Sequence, residues 1–225
     1  PDEVGDTLAE WDSRLHPDDR EHCYADLTAH LEGRTPEYRN EHRVRCKDGR
    51  YKWILDRGRV ITRGVDGKPL RVVGTHADID RQKFIEDVAQ QASARFEGIF
   101  NAMYQFIGIL SPDGVLMEVN EAAIGFAGVP RSELIGRPFW ECHWWQVGEA
   151  TQAQLRAAIA RALAGKTLRY EVEVRGVGGV RVTIDFSLKP VRDERGEVVQ
   201  IISEGRDISE QVAARQALDE RERLF

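Results

Sequence analysis

Polar and apolar residues alternate along 38–46. Tyr38, Asn40, His42, Val44 and Cys46 fall on one side; Arg39, Glu41, Arg43 and Arg45 fall on the other. A period of two predicts a β-strand with one face in solvent. Asp48-Gly49 supplies a hairpin turn into a second strand over 51–62, and Asp66-Gly67 a second turn into a third strand over 70–77. Such a meander needs something against its apolar face. Ahead of it, 1–31 reads as mostly helical. Pro17 suits a first helical turn, Asp18, Asp19 and Glu21 suit a positive helix N-terminus, and Gly33 ends the segment. Its apolar stripe is Tyr24, Leu27 and Leu31.

From 80 to 103 the period lengthens. Ile85, Val88, Ala92 and Ile99 recur at three-four spacing, with Arg95 interrupting, which fits a short coiled-coil connector or a helix packed on a neighbour. Strands at 105–110 and 115–119 flank the turn Ser111-Pro112-Asp113-Gly114, and Asn120 caps a short helix that Gly128 closes. Another short helical turn falls at 132–136. A longer helix over 151–163 places Leu155, Ile159 and Leu163 on one face. Alternation then returns. Tyr170, Val172 and Val174 lead to Gly178-Gly179, and Val180, Val182, Ile184, Phe186 and Leu188 line the next strand. A last strand over 198–203 leads to Asp207-Ile208-Ser209-Glu210, read as a capping box, and to a charged helix running to Phe225. Acid and base alternate over 219–223, as on an exposed coiled-coil face or a solvated helix end.

The ending occurs twice. Asp66-Gly67, an apolar run and Asp78-Ile79-Asp80 reappear as Arg195-Gly196, an apolar run and Asp207-Ile208-Ser209, 129 residues later from Asp78 to Asp207. A repeat of that length is a domain. Two related modules stand in tandem: 1–80 as the C-terminal part of a first, 81–96 as a helical linker, 97–209 as a complete second and 210–225 as the start of an outgoing helix. A chain starting at Pro1 reads as a fragment of a longer protein. With 41% hydrophobic and 31% charged residues it has ordinary globular composition. Its net charge of −6 argues against a nucleic-acid partner. No run of 18 apolar residues offers membrane contact. Cys23, Cys46 and Cys142 are scattered and odd in number, as reduced thiols in the cytoplasm would be. A membrane anchor elsewhere in a parent protein stays open.

The order of two strands, short helices, a long helix and a three-strand meander resembles the PAS domain family. In the first module the resemblance rests on Trp11, Leu15-His16-Pro17-Asp18-Asp19-Arg20, Glu41-His42-Arg43-Val44, Asp48-Gly49 and Trp53-Ile54. In the second it rests on Asp113-Gly114, Val119-Asn120, Leu134-Ile135-Gly136-Arg137-Pro138-Phe139-Trp140 and Gly205-Arg206-Asp207-Ile208. It implies an α+β fold, a five-stranded antiparallel sheet with helices on one face. It also implies sensing and relay through the helices after Asp78-Ile79 and Asp207-Ile208, and pairing of two copies through those helices. Output would lie outside this chain: a sensor histidine kinase, or alternatively a diguanylate cyclase or phosphodiesterase. A ligand-free dimerisation spacer is the rival reading.

No phosphate loop, nucleophile elbow, HExxH or CxxC occurs, so neither a catalytic set nor a metal site is expected. Candidate ligand contacts are Phe106, Asn120, Phe126, Trp140, His143, Trp144, Tyr170 and Phe186, with His42 in the first module. The cluster Phe139-Trp140-Glu141-Cys142-His143-Trp144-Trp145 could wall a pocket or lock a loop onto the core. His42 and Asn120 have structural readings as a core histidine and a helix cap. Haem is disfavoured because the resemblance implies an axial histidine on the long helix, and 151–163 has none. The resemblance also disfavours covalent flavin chemistry, since it implies a reactive Cys followed by Arg and Cys142 is followed by His143; non-covalent flavin and other ligands stay open.

Overall fold

The structure, a computed structural model, describes residues 8–223, with side chains described over 9–219. The predicted helix over 1–7 and the final residues 224–225 lie outside it, as do the side chains of most of the acid–base alternation at 219–223. Two compact units divide at Ser93 and Ala94.

Unit 1 holds α1 (Leu8–Arg14), a 3-10 turn (Pro17–Asp19), α2 (Arg20–Leu31) and an antiparallel sheet in the order β1 (Tyr38–Arg45), β2 (Tyr51–Arg63), β3 (Pro69–Asp78). Asp19 ties the start of α2 to β1. Its carboxylate accepts from the Arg43 amide at 2.8 Å and from the guanidinium at 2.9 and 2.6 Å. Burial opposes the charge on Asp19, but these Arg43 bonds outweigh it and hold the carboxyl below its usual range.

The stripe of α2 differs from the sequence expectation. Cys23 and His30 face inward with half-buried Leu27, while Tyr24 is exposed and its hydroxyl donates to Asp12 Oδ1 at 3.0 Å. The set 23, 27, 30 has the same three-four spacing as 24, 27, 31, so periodicity alone could not choose. The sheet chose, because its inner face is polar: Cys23 Sγ donates to Asn40 Oδ1 at 3.1 Å. His30 joins helix to sheet. Its Nε2 accepts from the Val60 amide at 3.0 Å, so Nδ1 donates to the Thr35 carbonyl at 3.0 Å.

Helix α3 (Asp80–Ala102) follows β3. Ile85, Val88, Ala92 and Ile99 of the expected seam are all exposed, and Phe84 and Phe96 extend the same apolar face.

Unit 2 has the sheet order β5-β4-β8-β7-β6, all antiparallel. The strands are β4 (Phe106–Leu110), β5 (Leu116–Val119), β6 (Leu168–Arg175), β7 (Arg181–Arg192) and β8 (Val198–Asp207). Over one face pack α4 (Glu121–Ala127), α5 (Glu149–Leu163) and 3-10 turns at Phe139–Glu141 and His143–Trp145; α6 (Ser209–Arg223) leaves from β8. Asn120 caps α4 by accepting from the Ala123 amide at 3.2 Å, and Gly128 ends the helix at φ 67°. Val180, expected on the inner face of β7, is exposed. It belongs to the tight turn made by the left-handed Gly178 and Gly179, and pairing starts only at Arg181. The core joins Leu110, Leu116, Leu155, Leu188 and Ile201, each fully buried. Such side chains contribute about 1.5–3 kcal/mol apiece.

Candidate functional site

The doubled Asp-Ile ending builds the same junction twice. Ile79 donates its amide to the Trp53 carbonyl at 3.0 Å, and Ile208 donates to the Thr183 carbonyl at 2.9 Å. The next residue returns the bond through its side chain. Asp80 Oδ1 accepts from the Trp53 amide at 3.2 Å, and Ser209 Oγ accepts from the Thr183 amide at 3.1 Å. Asp78 and Asp207 accept from the amide two residues on, Asp80 at 3.1 Å and Ser209 at 2.9 Å. Ile79 and Ile208 are both buried. Each junction thus clamps the first turn of a helix to the strand paired with the one the helix leaves, β2 in unit 1 and β7 in unit 2. The expected capping box at Asp207 is in fact this two-residue Asx turn, and the third position serves the strand rather than the helix.

In unit 2 the space between sheet and helices is nearly filled. Phe139 lies on Trp145 at 5.4 Å between ring centroids and Trp145 on Phe186 at 4.9 Å. What remains is a cavity of about 30 Å³, room for a water molecule. A haem or flavin would need a pocket at least an order of magnitude larger.

Of the candidate residues, Phe106, Trp144 and Phe186 line this cavity. Phe126 stacks behind Phe106 at 4.7 Å, and Tyr170 meets Phe186 edge-on at 5.6 Å. Trp140 lies under the Arg156 guanidinium at 5.7 Å. His143 donates through Nε2 to the Gly176 carbonyl at 3.2 Å, and Trp144 through its indole to the Ala123 carbonyl at 3.2 Å, so both bind the loop to the body of the unit. Asn120 is fully committed. Its oxygen takes the Ile107 and Ala123 amides at 3.0 and 3.2 Å, and its nitrogen donates to the Gln105 carbonyl at 2.8 Å. Cys142 is sealed in, and burial pushes its thiol up to about 12, so no thiolate forms at neutral pH.

In unit 1 the inner face of β1 is polar. Asn40 and His42 are buried, as are Tyr38 beside them and Asp56 across on β2. Burial pushes the His42 imidazole below its ordinary value, against the pull of Asp56. His76, paired with Asp56 at 3.3 Å, is raised by that bond. Among the described residues no group of three His, Cys, Asp or Glu is placed to hold a metal, and no helix is long and apolar enough to cross a membrane.

Family models of the PAS fold match residues 1–76 and 100–213, and the second match alone takes in half of the chain. The chain belongs to the PAS family. Over 136 residues, 60% of this chain, it is 35% identical to the sensor histidine kinase TmoS of Ectopseudomonas mendocina, and it spans 14% of that protein. Over 137 residues, 58% of this chain, it is 36% identical to hybrid signal transduction histidine kinase D of Dictyostelium discoideum, spanning 9% of it. A solved PAS domain of an HTR-like protein from Haloarcula marismortui is 25% identical, with a TM-score of 0.46, covering 56% of this chain and 99% of that one. Two PAS modules in tandem, related to signal-transduction histidine kinases, make this a sensory signal-transduction segment.

Sequence reasoning passed over several residues of these PAS modules. Trp145 and Ser203 line the unit 2 cavity; Trp145 was visible in the aromatic cluster, whereas Ser203 gave no signal. In unit 1 it passed over Trp11, which reaches His42 from α1, and Asp56, which sheet register sets opposite Asn40; neither long-range placement is announced by a local pattern.

Proposed function

We propose that this chain is the sensing, pairing and relay segment of a signalling protein with a histidine-kinase output, organised as 1–80, a linker at 81–96, a module at 97–209 and an outgoing helix at 210–225. The observation that carries this reading is the duplicated strand-to-helix clamp. A shift in the sheet moves the Trp53 or Thr183 peptide, and two hydrogen bonds convey that shift to the first turn of the following helix. In a sensor kinase carrying the segment, Asp207→Ala and Ser209→Ala should each change autophosphorylation severalfold with circular dichroism preserved. Unchanged output from both would reduce the junction to a local tie.

Pairing is supported by α3, whose Phe84, Ile85, Val88, Phe96 and Ile99 form one exposed apolar face. A second copy is the occupant that shares the same heptad-like spacing. Sedimentation equilibrium should give a dimer, and Val88→Glu with Ile99→Glu should give a folded monomer. A wild-type monomer across micromolar concentrations would remove the pairing.

For unit 2 a ligand-free role is favoured by its filled core. Ligand sensing is assigned to unit 1, and the work would be done in the cytoplasm without chemistry of its own.

A further inference from the structure

The two sheets are copies in matching register, and the junction clamps at Trp53 and Thr183 align them. β1 sets Tyr38, Asn40 and His42 opposite Gly58, Asp56 and Ile54; β6 sets Leu168, Tyr170 and Val172 opposite Leu188, Phe186 and Ile184. The positions that pack unit 2 with Leu188, Phe186 and Val172 are therefore Gly58, Asp56 and His42 in unit 1. One fold carries an apolar, filled interior in one copy and a buried polar face in the other. Stability alone favours the apolar set, because buried polar groups gain little even when paired.

The tautomer of His42 follows from its neighbours. Asn40 donates through Nδ2 to the Asp26 carboxylate at 2.6 Å, which turns its oxygen toward Cys23 and His42. That oxygen only accepts, so His42 Nδ1, 2.8 Å away, carries the hydrogen. With the ring kept neutral, Nε2 presents a bare lone pair. His42 is 0% exposed and its Nε2 has no partner. The Trp11 ring stands edge-on to the imidazole, 5.8 Å between centroids, and its buried indole N–H has no acceptor. The buried Tyr38 hydroxyl, on the same face of β1, is also unpartnered; in unit 2 the Trp145 indole N–H and the Tyr170 hydroxyl are unpartnered too, but neither is a bare acceptor like His42 Nε2. Each such group costs stability while unmet. His30 of the same unit has both ring nitrogens bonded, which marks His42 as the exception.

We propose that the inner face of unit 1 holds a small hydroxylated ligand, whose O–H donates to His42 Nε2 while its oxygen accepts the Trp11 indole N–H. This rests on the sensory reading and assigns it a chemical class. The test titrates the whole chain with phenol, and with toluene as the probe lacking a hydroxyl, while following the His42 ring nitrogens in long-range ¹H–¹⁵N spectra. Phenol should move Nε2 saturably toward the hydrogen-bonded position, and toluene should not. Trp11→Phe and His42→Phe should each weaken phenol by about tenfold, the scale of one lost buried bond. An unmoved Nε2, an equal response to toluene, or a phenol affinity that neither substitution changes would overturn the proposal and leave water as the occupant. That failure, with dimerisation and relay intact, would strike the ligand class alone.

Discussion

At the residue scale, single polar side chains do more fixing here than their number suggests. Asn120 joins the end of α3, the start of β4 and the cap of α4 through one amide. Asn120→Ala leaves buried amides and a carbonyl unmet as well as losing the cap. It should cost about 3 kcal/mol, read as a lower urea midpoint for unit 2. His42 and His76 are shifted in opposite senses. Because the folded His42 has a lowered pKa, the unfolded chain binds its proton first. Unit 1 therefore loses stability as pH falls from about 6.5, the unfolded value, toward the folded one. His76 is raised by Asp56, so its contribution is full below about 6.5 and is lost as pH rises through its folded value. Asp19 and His22 also act on His42. Urea midpoints between pH 5 and 8 (roughly the window in which histidine titrates) should show a flatter acid limb in His42→Gln and a steeper one in His76→Gln.

At the element scale, the junctions and α2 show two kinds of legibility. The repeated Asp-Ile was plain in the sequence because it is a string of identical residues. What the third residue does was not, because a cap and a cross-strand clamp ask for the same small acceptor. Asp80 and Ser209 therefore look unlike in sequence and act alike in space. Ser209→Ala should fray the first turn of α6 and raise amide exchange at Thr183 and Ile208, at about 1 kcal/mol. Ser209→Asp, copying the other junction, should retain protection. In α2 the stripe was misread by one position because both registers satisfy the helical period, and only the polar sheet beneath prefers Cys23 and His30.

At the scale of the whole molecule, the two units differ in what holds them. Among the described residues, buried apolar side chains in unit 1 are Leu15, Cys23, Tyr38 and Ile79, while unit 2 has a continuous core from Leu110 to Ile201. Burial at about 25 cal/mol per Å² makes the first the weaker unit. Urea should unfold the chain in two steps, unit 1 first. Trp145→Ala should lower only the second midpoint, by about 3–5 kcal/mol of cavity cost.

The sequence by itself determined the tandem repeat, the strand–helix order, the turns and the family, since each is written in local periodicity or in a repeated string. Tertiary structure decided what the interiors are for. The aromatic cluster at 139–145 reads more readily as locking a loop onto the core than as walling a pocket, and its packing on Phe186 makes it a plug. His42 looked like any inward histidine of a strand. Its meaning depends on Asp26, Asn40 and Trp11, brought to it from two helices and its own strand, and on register placing Asp56 where the second copy keeps Phe186. Hydrogen-bond completeness is a property of assembled neighbours, so no reading along the chain could find a nitrogen left without a partner.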